Sequence, residues 1–309
     1  MQSLHENAVV IISGAKRVTR SGDQYFPFWQ NANFHYLTAW PEFDAVLVMQ
    51  RQGNDMRSLL FHQGYDPADA RWHGECIAHE AAVQQYGFDQ ALPRHTLDQW
   101  LKQNIQAEPL YLTADADVLE ILNNNSNIDQ SSLEFQLMKQ RLHKSIDELK
   151  AIELACKITV EAHLECMRRG VRGKFTNEQA IAATFEYQCA MRQAEGMAYE
   201  IIAAAGNRAC TLHYAQNNAE IMHGDCVLLD AGCTIAHYCA DVTRCWPTTG
   251  KFTAQQKVIY QLVLQAQQAC IKQIAAGVAF RDLQALSQSI MIDGLRSQNI
   301  VDTSASTES

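Results

Sequence analysis

No stretch of this sequence approaches the roughly 20 consecutive apolar residues of a membrane-spanning helix; its best runs, residues 45–49 and 201–205, are far too short. The N-terminus, Met1-Gln-Ser-Leu-His-Glu, has no basic segment, and the apolar run at 8–12 is too short for a signal core. The expectation is a cytoplasmic chain with no membrane partner. Positive charge is also scarce: 25 Lys+Arg against 34 Asp+Glu leave a formal net charge of −9, with no local basic patch. Such a balance repels a phosphate backbone and excludes nucleic acid as a main partner.

Specific motifs are missing too. Ten cysteines contain no Cys-x-x-Cys pair, and Cys226, Cys233, Cys239 and Cys245 cluster without zinc-site spacing. They are expected to serve as small buried hydrophobes kept reduced in the cytosol. There is no Gly-x-Ser-x-Gly elbow for a serine hydrolase. Gly170-Val-Arg-Gly-Lys174 is followed by Phe175 where a phosphate loop needs Ser or Thr, and His79-Glu80 has Val83 where a zinc-protease helix needs its second histidine. Finally, all 11 histidines lie at or before His237, and no glutamate falls between Glu220 and Glu308.

What is present is an ordinary soluble composition, 47% hydrophobic and 19% charged, over 309 residues. That length suits about two domains. Residues 1–125 mix short buried strands (8–12, 45–49, 58–61) with helix-like spacing at 78–85 and 97–103, an α/β character. The polar run at 123–132 carries no apolar period and marks a linker, placed at 126–138. Residues 139–301 form the second domain, and 302–309 read as a disordered tail. Three capping boxes, Ser145-x-x-Glu148, Thr176-x-x-Gln179 and Thr253-x-x-Gln256, start helices running to about Met167, to about Ala194 and along the stripe Ile259 to Ile274. A fourth helix follows Gly277, and a β segment spans 225–246.

That β segment carries the chemistry. If it is a hairpin turning near Ile235 and Ala236, Asp230 and Asp241 fall opposite each other on one face. Two facing carboxylates repel and resist desolvation unless a cation or a shared proton compensates. A divalent metal such as Mn²⁺ is one compensation. The alternative is that one aspartate pairs with Arg244 or caps a turn while the other is exposed. His213 is a candidate third group that could donate a hydrogen bond to a substrate.

Leu212-His213-Tyr214, Gly224-Asp225-Cys-Val-Leu-Leu-Asp230-Ala-Gly232, Ala240-Asp241-Val-Thr-Arg244 and Gly250-Lys-Phe-Thr253 resemble the first half of the catalytic domain of Xaa-Pro aminopeptidases, the aminopeptidase P group of pita-bread metallopeptidases. The segment from Asp23 to Thr38, Trp72-His-Gly74 and Arg141-Leu-His-Lys144-Ser145 resemble other motifs of that family, including its N-terminal domain signature. The resemblance implies an α/β N-terminal domain followed by an α+β pita-bread, creatinase/aminopeptidase-like domain, truncated here to its first half. It implies metal-dependent release of the first residue from peptides with proline second, by attack of a metal-bridging hydroxide at a two-Mn²⁺ site. Asp230 and Asp241 would be metal ligands and His213 the histidine assisting the substrate. The family's later histidine and two glutamates have no counterpart among these residues, which leaves catalytic competence open. The alternative is a non-catalytic binding or assembly protein derived from that family; a homo-oligomer remains open.

Overall fold

The computed structural model describes residues 8–53, 55–105, 110–113, 116–122, 128–129 and 131–301. The chain divides into two compact units, Met1–Leu149 and Lys150–Ser309. No helix among the described residues is long and apolar enough to cross a membrane.

In the first unit a six-stranded mixed sheet is built from β1 (Val9–Ser13), β4 (Val46–Gln52), β5 (Asp55–His62), β6 (Gln90–Pro93), β7 (Leu110–Leu112) and β8 (Ile128–Asp129), in the order β6-β5-β4-β1-β7-β8. A separate small ladder pairs β2 (Thr19–Ser21) with β3 (Gln24–Tyr25). β1 pairs antiparallel with β4 and parallel with β7, so it lies inside the sheet. Its unbroken apolar run follows from burial on both faces: Val10 and Ile12 join one core cluster, Val9 and Ile11 the other.

Helices α1 (Ala32–Thr38), α2 (Pro67–His73), α3 (His79–Tyr86), α4 (Leu97–Asn104), α5 (Ala116–Ile121) and α6 (Ser131–Leu142) complete this unit. α4 contributes Leu97 and Leu101 to one cluster, and α6 contributes Leu133 and Leu137 to the other. The residues expected as a linker, 126–138, therefore include β8 and much of α6, whose apolar side chains anchor it to the first unit. The polar residues 123–127 and 130, like the expected tail at 302–309, lie outside the described residues. A buried polar knot sits in the same unit: the His62 ring, fully buried, packs against Trp40 at 4.7 Å and His79 at 4.4 Å between centroids.

The second unit is helical around small antiparallel sheets. α7 (Ile146–Gly170) begins at a reciprocal cap, with Glu148 N–H donating to Ser145 Oγ (3.3 Å) and Ser145 N–H to the Glu148 carboxylate (2.6 Å). α8 (Glu178–Ala190) starts one residue later than the Thr176 box predicts, because the Asn177 side chain accepts from Ala180 N–H (2.8 Å). The Thr176 carbonyl instead accepts from Ile221 N–H. α8 also ends short of Ala194, where Gln193 turns the chain at φ 63°.

Strands β9 (Gly196–Met197), β10 (Ile202–Ala205), β11 (Cys226–Ala231), β12 (Cys233–Ile235), β13 (Tyr238–Cys239) and β14 (Val242–Pro247) form the ladders β10-β11-β14 and β13-β12-β9. β11 alternates. Val227, Leu229 and Ala231 pack on Ile158, Ala162 and Cys166 of α7 and on Ile181, Phe185 and Cys189 of α8. Cys226, Leu228 and Asp230 face the other way, half-buried. α9 (Ala254–Gln273) opens with the Thr253–Gln256 capping box and pairs with α10 (Phe280–Ser297). Only Leu262 and Ala266 of α9 are buried, whereas Val258, Ile259, Val263 and Ile271 remain exposed.

All ten cysteines are free. The expected role as buried hydrophobes holds for Cys166, Cys189 and Cys233; Cys210 and Cys239 are exposed because they lie on surface turns and edges.

Candidate metal centre

The register of the β segment settles where the two aspartates stand. Thr234 pairs with Cys239, Ile235 with Tyr238 and Asp230 with Thr243. The turn is therefore Ala236-His237, one position later than the sequence suggests. Both residues have positive φ, 48° and 63°, the backbone of a type I′ hairpin turn usually made by Asn-Gly. The Glu195 carboxylate holds this costly turn by accepting from Ala236 N–H (2.8 Å) and His237 N–H (3.1 Å).

The shift makes Asp230 and Asp241 diagonal neighbours rather than direct opposites. Moving the centre by one residue changes each partner by two, so the pair keeps a common face. Gly232 permits the close crossing beside them, since a Cβ there would lie 1.8 Å from the Ala240 carbonyl oxygen.

Tyr199 joins the two carboxylates. Its hydroxyl lies 2.5 Å from Asp230 Oδ1 and 3.1 Å from Asp241 Oδ1. One phenolic proton is thus shared between two acceptors. Burial first, then the hydrogen bond and negative charge of Asp230 and the charge of Asp241, push the Tyr199 phenol far above its ordinary range, so it stays a donor. Behind β11, the buried His163 of α7 donates from Nε2 to the Ala231 carbonyl (3.1 Å). Desolvation lowers its pKa and keeps it neutral. Arg244 donates to the Thr243 carbonyl, and no ion pair among the described residues joins it to either aspartate.

His213 lies exposed on the segment following β10. No hydrogen bond described for the chain links it to the aspartate pair. Its segment is anchored by Glu178, whose carboxylate is fully buried. Oε1 accepts from Arg208 Nε (2.7 Å) and Ala205 N–H (2.9 Å); Oε2 accepts from Tyr214 Oη (2.8 Å) and Ala219 N–H (3.0 Å). Burial alone would raise the Glu178 pKa, but these four donors together outweigh it and hold it below the usual carboxylate range.

Among the described residues, no group of three or more His, Cys, Asp and Glu is placed to hold a metal. The donor chemistry of the pair nevertheless fits a hard divalent cation as part of a ligand set: two carboxylates on one face, compensated within the described residues by a single neutral hydroxyl. The sequence missed Tyr199, for which no local signal exists, and Glu178, which resembles an ordinary first-turn acid.

The family model of metallopeptidase family M24 matches residues 150–302, and that of the aminopeptidase P N-terminal domain matches residues 1–111. The chain is 30% identical to the Xaa-Pro aminopeptidase of Escherichia coli, over 96% of this chain and 70% of that protein. It is 31% identical to Xaa-Pro aminopeptidase 3 of Mus musculus, over 97% of this chain and 62% of the relative. The solved aminopeptidase PepP of Pseudomonas aeruginosa superposes with a TM-score of 0.91 at 29% identity, over 99% of this chain and 72% of that one. Two units with these matches define a metallopeptidase architecture, an aminopeptidase P N-terminal domain followed by a pita-bread domain. The chain belongs to the Xaa-Pro aminopeptidase group of metallopeptidase family M24. It spans about 62% of the length of the first curated relatives it matches.

Proposed function

We propose that this chain takes part in manganese-dependent release of the N-terminal residue from peptides with proline second, in the cytoplasm. The observation that carries this reading is the convergence of Asp230 and Asp241 on one sheet face around the Tyr199 hydroxyl. In the proposal Asp230 and Asp241 hold the metal, and Tyr199 orients both carboxylates by its shared proton. A divalent cation bound there supplies Lewis-acid polarisation of the scissile carbonyl and acidifies water at neutral pH. His163 fixes the end of β11 through the Ala231 carbonyl, and hence the position of Asp230. Exposed His213 donates a hydrogen bond to the substrate, on a segment that Glu178 keeps ordered.

The test measures release of the first residue from an Xaa-Pro peptide and from the same peptide with alanine second, with Mn²⁺ and after chelation. The proposal expects manganese-dependent turnover of the proline peptide, abolished by Asp241→Asn. Turnover that persists after chelation, or no turnover of either peptide, overturns it.

A further inference from the structure

The face that carries Asp230 also carries two thiols. Cys226 opens β11 and stands opposite Pro247, while Cys245 of β14 stands opposite Leu228, so the cysteines are diagonal neighbours on one face. The two thiols perturb each other, the pKa of Cys226 being lowered and that of Cys245 raised, and both are partly exposed. Both line a cavity of about 650 Å³, together with Arg244, Phe252, Ile259 and Tyr260.

The diagonal placement matters. Such positions are roughly 7–8 Å apart between Cα atoms, beyond the span of an unstrained disulfide, about 4.4–6.8 Å. That placement favours the dithiol over a disulfide. No third His, Cys, Asp or Glu among the described residues joins them in a metal-binding group. That excludes tetrahedral zinc, which needs four ligands, and favours an ion content with two sulfurs. Soft thiolates select copper(I) among common metals.

We propose that Cys226 and Cys245 form a bis-thiol site for a soft monovalent cation of the copper(I) class, separate from the hard-ion site at Asp230 and Asp241. Binding releases the two thiol protons to solvent and forms two sulfur–metal bonds, with no change of oxidation state. The complex carries one net negative charge. The pair's mutual influence lowers the pKa of the Cys226 thiol and raises that of Cys245, so the bound cation takes the place of the second proton. Asp230 lies four residues further along β11, roughly 13 Å away at strand rise. Soft and hard ions would thus be sorted along one sheet face by donor chemistry.

The test titrates the reduced, full chain anaerobically with copper(I) against a competing chromogenic chelator. One equivalent is expected to be retained, at least ten-fold more weakly in Cys226→Ser and in Cys245→Ser, unchanged in Cys270→Ser and undisplaced by a hundred-fold excess of Mn²⁺. A second measurement needs no variant: copper(I)-loaded chain is alkylated with iodoacetamide and its peptides are weighed. Cys226 and Cys245 should be protected at least five-fold while exposed Cys210 and Cys239 still react. Equal copper affinity in either serine variant, displacement by Mn²⁺, unprotected Cys226 and Cys245, or ready closure of a Cys226–Cys245 disulfide under mild oxidation would each overturn the proposal.

Discussion

Replacing Glu178 by alanine should loosen the segment that carries His213. The Glu178 side chain is fully buried and makes four contacts of 2.7 to 3.0 Å, one with the Arg208 guanidinium, one with the Tyr214 hydroxyl and two with main-chain amides. A hydrogen bond to a charged group contributes about 1.5–3 kcal/mol, and breaking a buried ion pair on one side costs about 3–5 kcal/mol. The Arg208 side chain is 36% exposed and regains water once freed. The buried Ala205 amide does not. The net loss is therefore placed at about 3–4 kcal/mol at pH 7.

Because the folded pKa of Glu178 is depressed below 4.5, its stabilisation is fully present above that value. It is lost as pH falls through the folded pKa. Urea unfolding at pH 7 gives the magnitude, and hydrogen exchange at the Ala205 and Ala219 amides gives the place. A loss below about 1 kcal/mol with unchanged exchange at those amides would refute the assignment of Glu178 as the anchor.

Three further outcomes follow from the same structure. Tyr199→Phe removes the only proton donor described for both aspartates; it should cost about 1–2 kcal/mol at neutral pH, read from thermal unfolding, with most of that loss recovered on adding Mn²⁺. Gly232→Ala places a methyl 1.8 Å from the Ala240 carbonyl oxygen and should cost about 3 kcal/mol or more in urea unfolding, because backbone rather than a flexible side chain must move. His62, fully buried, has its pKa lowered to about 4 by burial and the neighbouring His79. An unfolded histidine near 6.5 takes up its proton first, so stability should decline by up to about 3 kcal/mol as pH falls from 6.5 to 4 and level off below; a His62 proton resonance titrating near 6.5 in the folded chain would contradict this.

The sequence carried the architecture well where a single physical rule governed a segment. The apolar run at 8–12 became β1, buried on both faces, and the boxes at Ser145 and Thr253 became the caps of α7 and α9. Legibility failed where a distant residue decides a local choice. The turn at Ala236-His237 shows no Asn-Gly signal, because Glu195, 41 residues upstream of Ala236, stabilises its left-handed backbone. The shared face of Asp230 and Asp241 survived that error since strand parity is insensitive to it. Tyr199 was invisible for a related reason: its hydroxyl reaches partners 31 and 42 residues away, a spacing no local pattern encodes. The polar run before Ser131 suggested a linker, yet Leu133 and Leu137 of α6, at i and i+4 spacing, are what bind that helix to the first unit.

The central claim, that Asp230 and Asp241 together form a hard-cation site, is tested most directly by manganese binding followed through the paramagnetic resonance of free Mn²⁺. Wild-type chain should sequester manganese, and Asp230→Asn and Asp241→Asn should each weaken binding at least ten-fold, while Cys245→Ser leaves it unchanged. Manganese sequestered equally by the wild type and both asparagine variants would contradict the account.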